Sequence, residues 1–170
     1  MYYPYFRGKQ FELIAIRESA TLLANSSFVP IVEPVRASLG GLNKTLRSLT
    51  DVGAQAVVVV NPRYGDHRES CESISELLEW DYQESDAIGA GILLTSETSL
   101  EKALALAKRF NRLGTTLIQL GLPTHGPYRI NLEGTQRTSA MSSWPITQTA
   151  STGDTSNDAR ESWLATGLFR

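Results

Sequence analysis

Gln55-Ala56-Val57-Val58-Val59-Val60-Asn61-Pro62-Arg63-Tyr64-Gly65 is the stretch whose reading decides the fold. Its four consecutive valines present no polar face, so a strand here is covered on both sides, as strands of parallel sheets are. Asn61-Pro62 ends the run, because proline cannot donate to a strand ladder, and Gly65 marks a turn.

The same grammar extends in both directions. Upstream, Leu39, Leu42, Leu46, Leu49 and Val52 recur at the spacing of one helix face, and Gly53 supplies the stop. Before that helix lies a second apolar run, 28–35, holding Pro30, Glu33 and Pro34. A helix with Leu13, Ile16, Ala20 and Leu23 on one face is expected to end near Asn25, after the turn Arg7-Gly8-Lys9 and an aromatic strand over 2–6. Pro4 is tolerable there at an edge or a strand start.

Downstream, Cys71, Ile74, Leu77 and Leu78 give another helical stripe, and 87–94 another strand. Gly89 and Gly91 in that strand predict close approach of a neighbouring backbone. Thr98-Ser99-Leu100-Glu101 reads as a capping box, opening a helix whose face is Leu100, Ala103, Leu104, Ala107 and Phe110. Gly114 closes it, and 115–120 is the last strand of the series.

Strands joined through helices by short loops require a parallel sheet with right-handed crossovers. Both an open doubly wound sheet and a (β/α)₈ barrel satisfy this. No G-x-G-x-x-G or G-x-x-x-x-G-K follows a strand, which takes support from the nucleotide-binding versions of the open sheet. The evenness of the units favours the barrel. A complete barrel takes about 250 residues, and this chain has 170. The expected fold is therefore an incomplete α/β, TIM-barrel-like (β/α) unit over 1–121, with about five parallel strands, followed by an irregular tail over 122–170.

In that tail Ser and Thr crowd the chain, and 136–158 offers neither a strand nor a helix face. Three readings apply: a disordered tail, the product of a truncated or frame-shifted gene, or a segment that folds on a partner. Isolated Trp144 and Trp163 are unusual in a linker and favour the frame-shift reading. An unclosed parallel sheet also predicts self-association through its open edge.

Charge excludes more than it proposes. Sixteen Lys+Arg against eighteen Asp+Glu give no basic excess for nucleic acid. No apolar run approaches the roughly 20 residues of a membrane span, and the first residues carry no signal-peptide pattern, so a cytoplasmic protein is expected. The lone Cys71 excludes a disulfide framework and reads as a small apolar helix residue. His67 and His125 are the two histidines; with no ligand pair at i, i+4, neither a metal site nor a cofactor is expected. His67 is placed at a helix start.

Ligands in these architectures bind at the carboxyl ends of the strands. Those ends carry Arg7 and Lys9, then Glu33 and Arg36, Asn61 and Arg63, Thr95 and Ser96, and Gln119. Arg7, Lys9, Glu33, Asn61 and Arg63 are the candidate ligand-binding residues. The cations suit an anionic ligand, with Glu33 as general base or as a partner holding a cation in place. A carboxylate inside Pro30-Ile31-Val32-Glu33-Pro34-Val35 needs a specific partner in any case. Glu12 is expected to be solvated or paired with a base.

The opening Tyr2-Tyr3-Pro4, the Lys9-Gln10-Phe11-Glu12 that enters the first helix, the strand Pro30-Ile31-Val32-Glu33 and the later Asn61-Pro62 resemble the phage "beta protein" family. The resemblance covers about 1–121. It implies a chain usually much longer, a complete α/β barrel, and a role in conflict between phage and host, such as defence or neutralising a toxin. It implies a protein partner from the same locus and carries Lys9 and Glu33 over as site residues. The expected function is thus a binding accessory of a phage or genomic-island locus, or a non-functional fragment of one if the frame-shift reading of the tail holds, with a barrel enzyme acting on an anionic or phosphorylated small molecule as the alternative.

Overall fold

A computed structural model describes residues 1–119. The readings made of Leu120, His125, Trp144, Trp163 and the tail over 122–170 lie outside the described residues. The elements run β1 (Tyr5–Phe6), α1 (Gln10–Glu18), α2 (Ala20–Asn25), β2 (Ile31–Val32), α3 (Gly40–Asp51), β3 (Ala56–Val59), α4 (Glu72–Asp81), β4 (Ile88–Leu94), α5 (Leu100–Arg109) and β5 (Thr115–Gln119).

All strands are parallel, and the order across the sheet is β1-β2-β3-β4-β5, the order of the chain. That order separates the two architectures. A doubly wound sheet reverses direction so that helices reach both faces, whereas right-handed crossovers added always to one side keep every helix on the same face. Side-chain burial agrees. One core cluster joins Val32, Ala56, Val58, Ile88, Ala90 and Ile92 to apolar residues of all five helices. The other, Val29, Ile31, Val57, Val59, Leu93 and Ile118 with Tyr3 and Tyr5, contains no helix residue among the described residues. The sheet is wound as in a barrel segment, and the valine run supplies alternate side chains to both clusters.

Local chemistry explains the element ends. After α3, Gly53 takes φ +70°, its N–H donates to Thr50 O (3.0 Å), and Ala54 N–H donates to Leu49 O (2.9 Å). This pair of bonds is the Schellman stop that the glycine predicts. The end of α2 uses the same bonds, Ser27 N–H to Ala24 O and Phe28 N–H to Leu23 O, but places a serine at φ +53°.

Several details depart from the sequence reading. The first helix is interrupted at Ser19, whose ψ of 7° leaves the helical range, although Leu13, Ile16, Ala20 and Leu23 still share the buried face. β1 is shorter than 2–6; Tyr2 reaches the sheet only as an isolated bridge to Phe28, with their rings 5.1 Å apart, edge to face. The cap of α5 sits one residue later than expected. Ser99 Oγ accepts the Lys102 N–H, while Thr98 Oγ1 donates to Leu93 O (3.0 Å). Cys71 is the half-buried N-cap of α4 rather than a residue within it. At Gly91 the neighbours that approach are mainly side chains: a Cβ there would come within 2.8 Å of both Ile118 Cδ1 and Val57 Cγ1.

Candidate functional site

Because every strand is parallel, residues that follow β1, β2 and β3 gather at one edge of the sheet. Glu33 follows β2 directly and is 1% exposed. Its Oε1 accepts the backbone N–H groups of Arg63 (2.6 Å) and Tyr64 (3.1 Å), and its Oε2 accepts the Tyr5 hydroxyl (2.9 Å). Burial, then the adjacent Glu33 carboxylate, pushes the Tyr5 phenol well above its ordinary range, so Tyr5 remains a donor. The partner that an apolar strand demanded for Glu33 is therefore three neutral donors, two of them from the loop after β3.

That loop is tied down from Arg63 to Arg68. Asp66 N–H donates to Val35 O (3.2 Å), and Asp66 Oδ2 accepts the Ala37 N–H (2.7 Å). His67 is buried in the turn, not at a helix start, with Nε2 donating to Arg36 O (2.9 Å). Gly65 takes φ +86° and lies so close to β2's exit that a Cβ would overlap the Val35 backbone. Asn61 is absorbed by the sheet: its side-chain oxygen accepts the Leu93 N–H (2.8 Å) and its amide donates to Leu93 O (2.9 Å). The amide continues the β3–β4 ladder where the main chain has left it and Pro62 has no N–H to give.

Outward from this loop point the charged groups. The Arg7 guanidinium carbon lies 5.0 Å from the Tyr64 ring centroid, and that of Arg63 lies 5.4 Å from it. Each is a cation–π contact, and all three residues are exposed. No carboxylate pairs with either guanidinium among the described residues. Gly8, at φ +60°, lets the turn before α1 pass over Glu33 O, where a Cβ would come within 2.9 Å. Lys9 is exposed beside it; its N–H donates to Glu12 Oε2 (3.2 Å), so Glu12 is a cap of α1 rather than a base's partner.

The structure thus divides the candidate residues. Arg7 and Arg63 converge on Tyr64 with Lys9 close by in sequence, whereas buried Glu33 and half-buried Asn61 are committed to structural hydrogen bonds. Arg36 stands exposed nearby, and its carbonyl serves His67. Thr95 pairs with Thr98 at the end of β4 (3.1 Å), and Gln119 ends β5. Tyr64 was missed: a lone tyrosine in a Pro-Arg-Tyr-Gly loop carries no periodic signal, though an aromatic beside arginine at a strand's carboxyl end is a usable cue.

Two shallow hollows lie at the opposite end of the sheet, either side of the exposed Trp80, with volumes of about 450 and 350 Å³. Most of their charges are paired, Arg112 in the second hollow having no carboxylate partner among the described residues. Arg47 lies 3.6 Å from Asp81, and Arg109 binds both Glu79 and Glu72, holding Glu72 below the usual carboxylate range. Two cations meeting on one aromatic ring favour the edge near Glu33. Among the described residues no group of three His, Cys, Asp or Glu could hold a metal ion, and no helix is long and apolar enough to cross a membrane. No protein-family model, curated protein or solved structure matches the chain.

Proposed function

We propose that the chain is a binding accessory without chemistry of its own, recognising an anionic partner through Arg7, Lys9, Arg63 and Tyr64. The observation that carries this is the commitment of Glu33. A general base must meet its substrate's proton within hydrogen-bond reach. Glu33 is buried, with two backbone donors on one oxygen and a phenol on the other, and presents no free face. What it does instead is fix the loop that displays Arg63 and Tyr64, which is how rigid scaffolds present binding loops.

The N-terminal likeness to the phage beta proteins supports a partner encoded at the same phage or genomic-island locus, in a setting of defence or toxin neutralisation. The test is a pull-down from cells carrying the neighbouring genes, with wild-type and Arg7→Ala/Arg63→Ala baits. Wild type should recover a locus-encoded protein, and the double variant should retain less than a tenth of it. An empty wild-type lane with folded bait, or equal recovery by both baits, would sink the reading.

A further inference from the structure

The two guanidinium groups on Tyr64 define the chemistry of what they bind. We infer that Arg7, Arg63 and Tyr64 form a clamp for a dianionic phosphoryl group, an inference that rests on the anion-binding reading above. Both guanidinium carbons lie against one ring, at 5.0 and 5.4 Å from its centroid, so the two positive charges cannot lie further apart than those distances combined. Two like charges within that reach, neither paired with a carboxylate among the described residues, favour an anion that can meet both.

A single carboxylate would leave one charge uncompensated. A phosphomonoester carries close to two negative charges at neutral pH and three acceptor oxygens, enough for two forks at once. Arginine's planar fork matches phosphate geometry in a way lysine's point charge does not. The ring gives both forks one surface to stack on, and the backbone that carries it is fixed, because Tyr64 N–H is bound by buried Glu33 and the following Gly65 is seated on Val35. Lys9, exposed two residues after Arg7, adds a third cation at the margin. The clamp is thus pre-organised by the same bonds that withdraw Glu33 from catalysis.

The full chain should be titrated with a phosphoserine peptide, a sugar phosphate, dimethyl phosphate and acetate at matched ionic strength, following the arginine side-chain N–H signals by NMR. The two phosphomonoesters stand for the two sources of the same group, a modified protein and a metabolite, and the tighter of them identifies the source. At least one should shift the Arg7 and Arg63 signals saturably, at least tenfold more tightly than acetate or the monoanionic diester. Its affinity should rise from pH 5 to pH 7, as the second phosphate proton leaves near pH 6. Arg7→Lys and Arg63→Lys, which keep charge and lose the fork, should each weaken it at least fivefold.

Equal affinity for acetate, with both ligands lost in Arg7→Ala, would overturn the phosphoryl assignment and leave the anion-binding reading standing. Silence of both arginines towards every anion would overturn both.

Discussion

Glu33 shows what a single buried carboxylate can do without a cation. Its charge is met by three neutral donors, from Tyr5, Arg63 and Tyr64, and hydrogen bonds to a charged group are each worth about 1.5–3 kcal/mol. Glu33→Ala should therefore cost about 3 kcal/mol in denaturant unfolding, after part of the loss is recovered by water. Tyr5 gives the pH signature. Its phenol is raised in the folded state by burial first and by Glu33 next, so its stabilisation is complete below about pH 10, the ordinary phenol value, and fades above it. Thermal unfolding followed from pH 8 to 11 should show a fall beyond about pH 10 that Tyr5→Phe flattens. Sequence made half of this legible. A carboxylate in an apolar strand announces that it needs a partner, but backbone N–H groups about thirty residues away belong to every sequence alike and leave no mark. Ser27 is a second residue-scale case. It occupies the left-handed position that glycine fills after α3, and Ser27→Gly should stabilise by about 1 kcal/mol, read as a raised Tm.

Elements depend on such residues at their ends more than on their interiors. β3 is extended past its last main-chain bond by the Asn61 side chain, which both donates to and accepts from Leu93. Asn61→Asp removes the donor and sets a carboxylate oxygen against Leu93 O, so it should destabilise by about 2 kcal/mol, more than the loss of one neutral bond. The loop beyond is equally exacting. Gly65→Ala meets both the cost of a positive φ and overlap with the Val35 backbone, and should lower stability by more than about 2 kcal/mol. At the other end of the helix series, Ser99→Ala should cost about 1 kcal/mol as α5 loses its cap. Strand positions, the Gly53 stop and most of the helix faces were readable, because periodicity and left-handed glycines act locally. Leu100, Leu104 and Val52, expected on buried faces, stand exposed, and Leu106 takes the buried place on α5. The displaced α5 cap was not, because Thr98 and Ser99 are equally good caps and only the pull of Leu93 O on Thr98 decides between them. The Ser19 interruption was hidden for a similar reason: the apolar spacing runs through it undisturbed.

At the scale of the molecule, strand order decides architecture, and the valine run already implied cover on both faces. Sequential order places the helices on one face and leaves the other to side chains of neighbouring strands, with Gly91 making room for Ile118 and Val57. Order itself is not written in any one segment, so a barrel-like winding rested on the evenness of the units until the pairing was seen. The edge where the strands end is then organised around one buried carboxylate, Glu33, which fixes the loop after β3. The most direct measurement is residue-resolved amide hydrogen exchange on the full chain and on Glu33→Gln. Arg63 and Tyr64 amides should exchange slowly in the wild type, within reach of the Val57 and Val60 ladder amides, and should lose that protection in the variant while the ladder keeps its own. Arg63 and Tyr64 exchanging at open-loop rates in the wild type, or unchanged by Glu33→Gln, would contradict that role of Glu33.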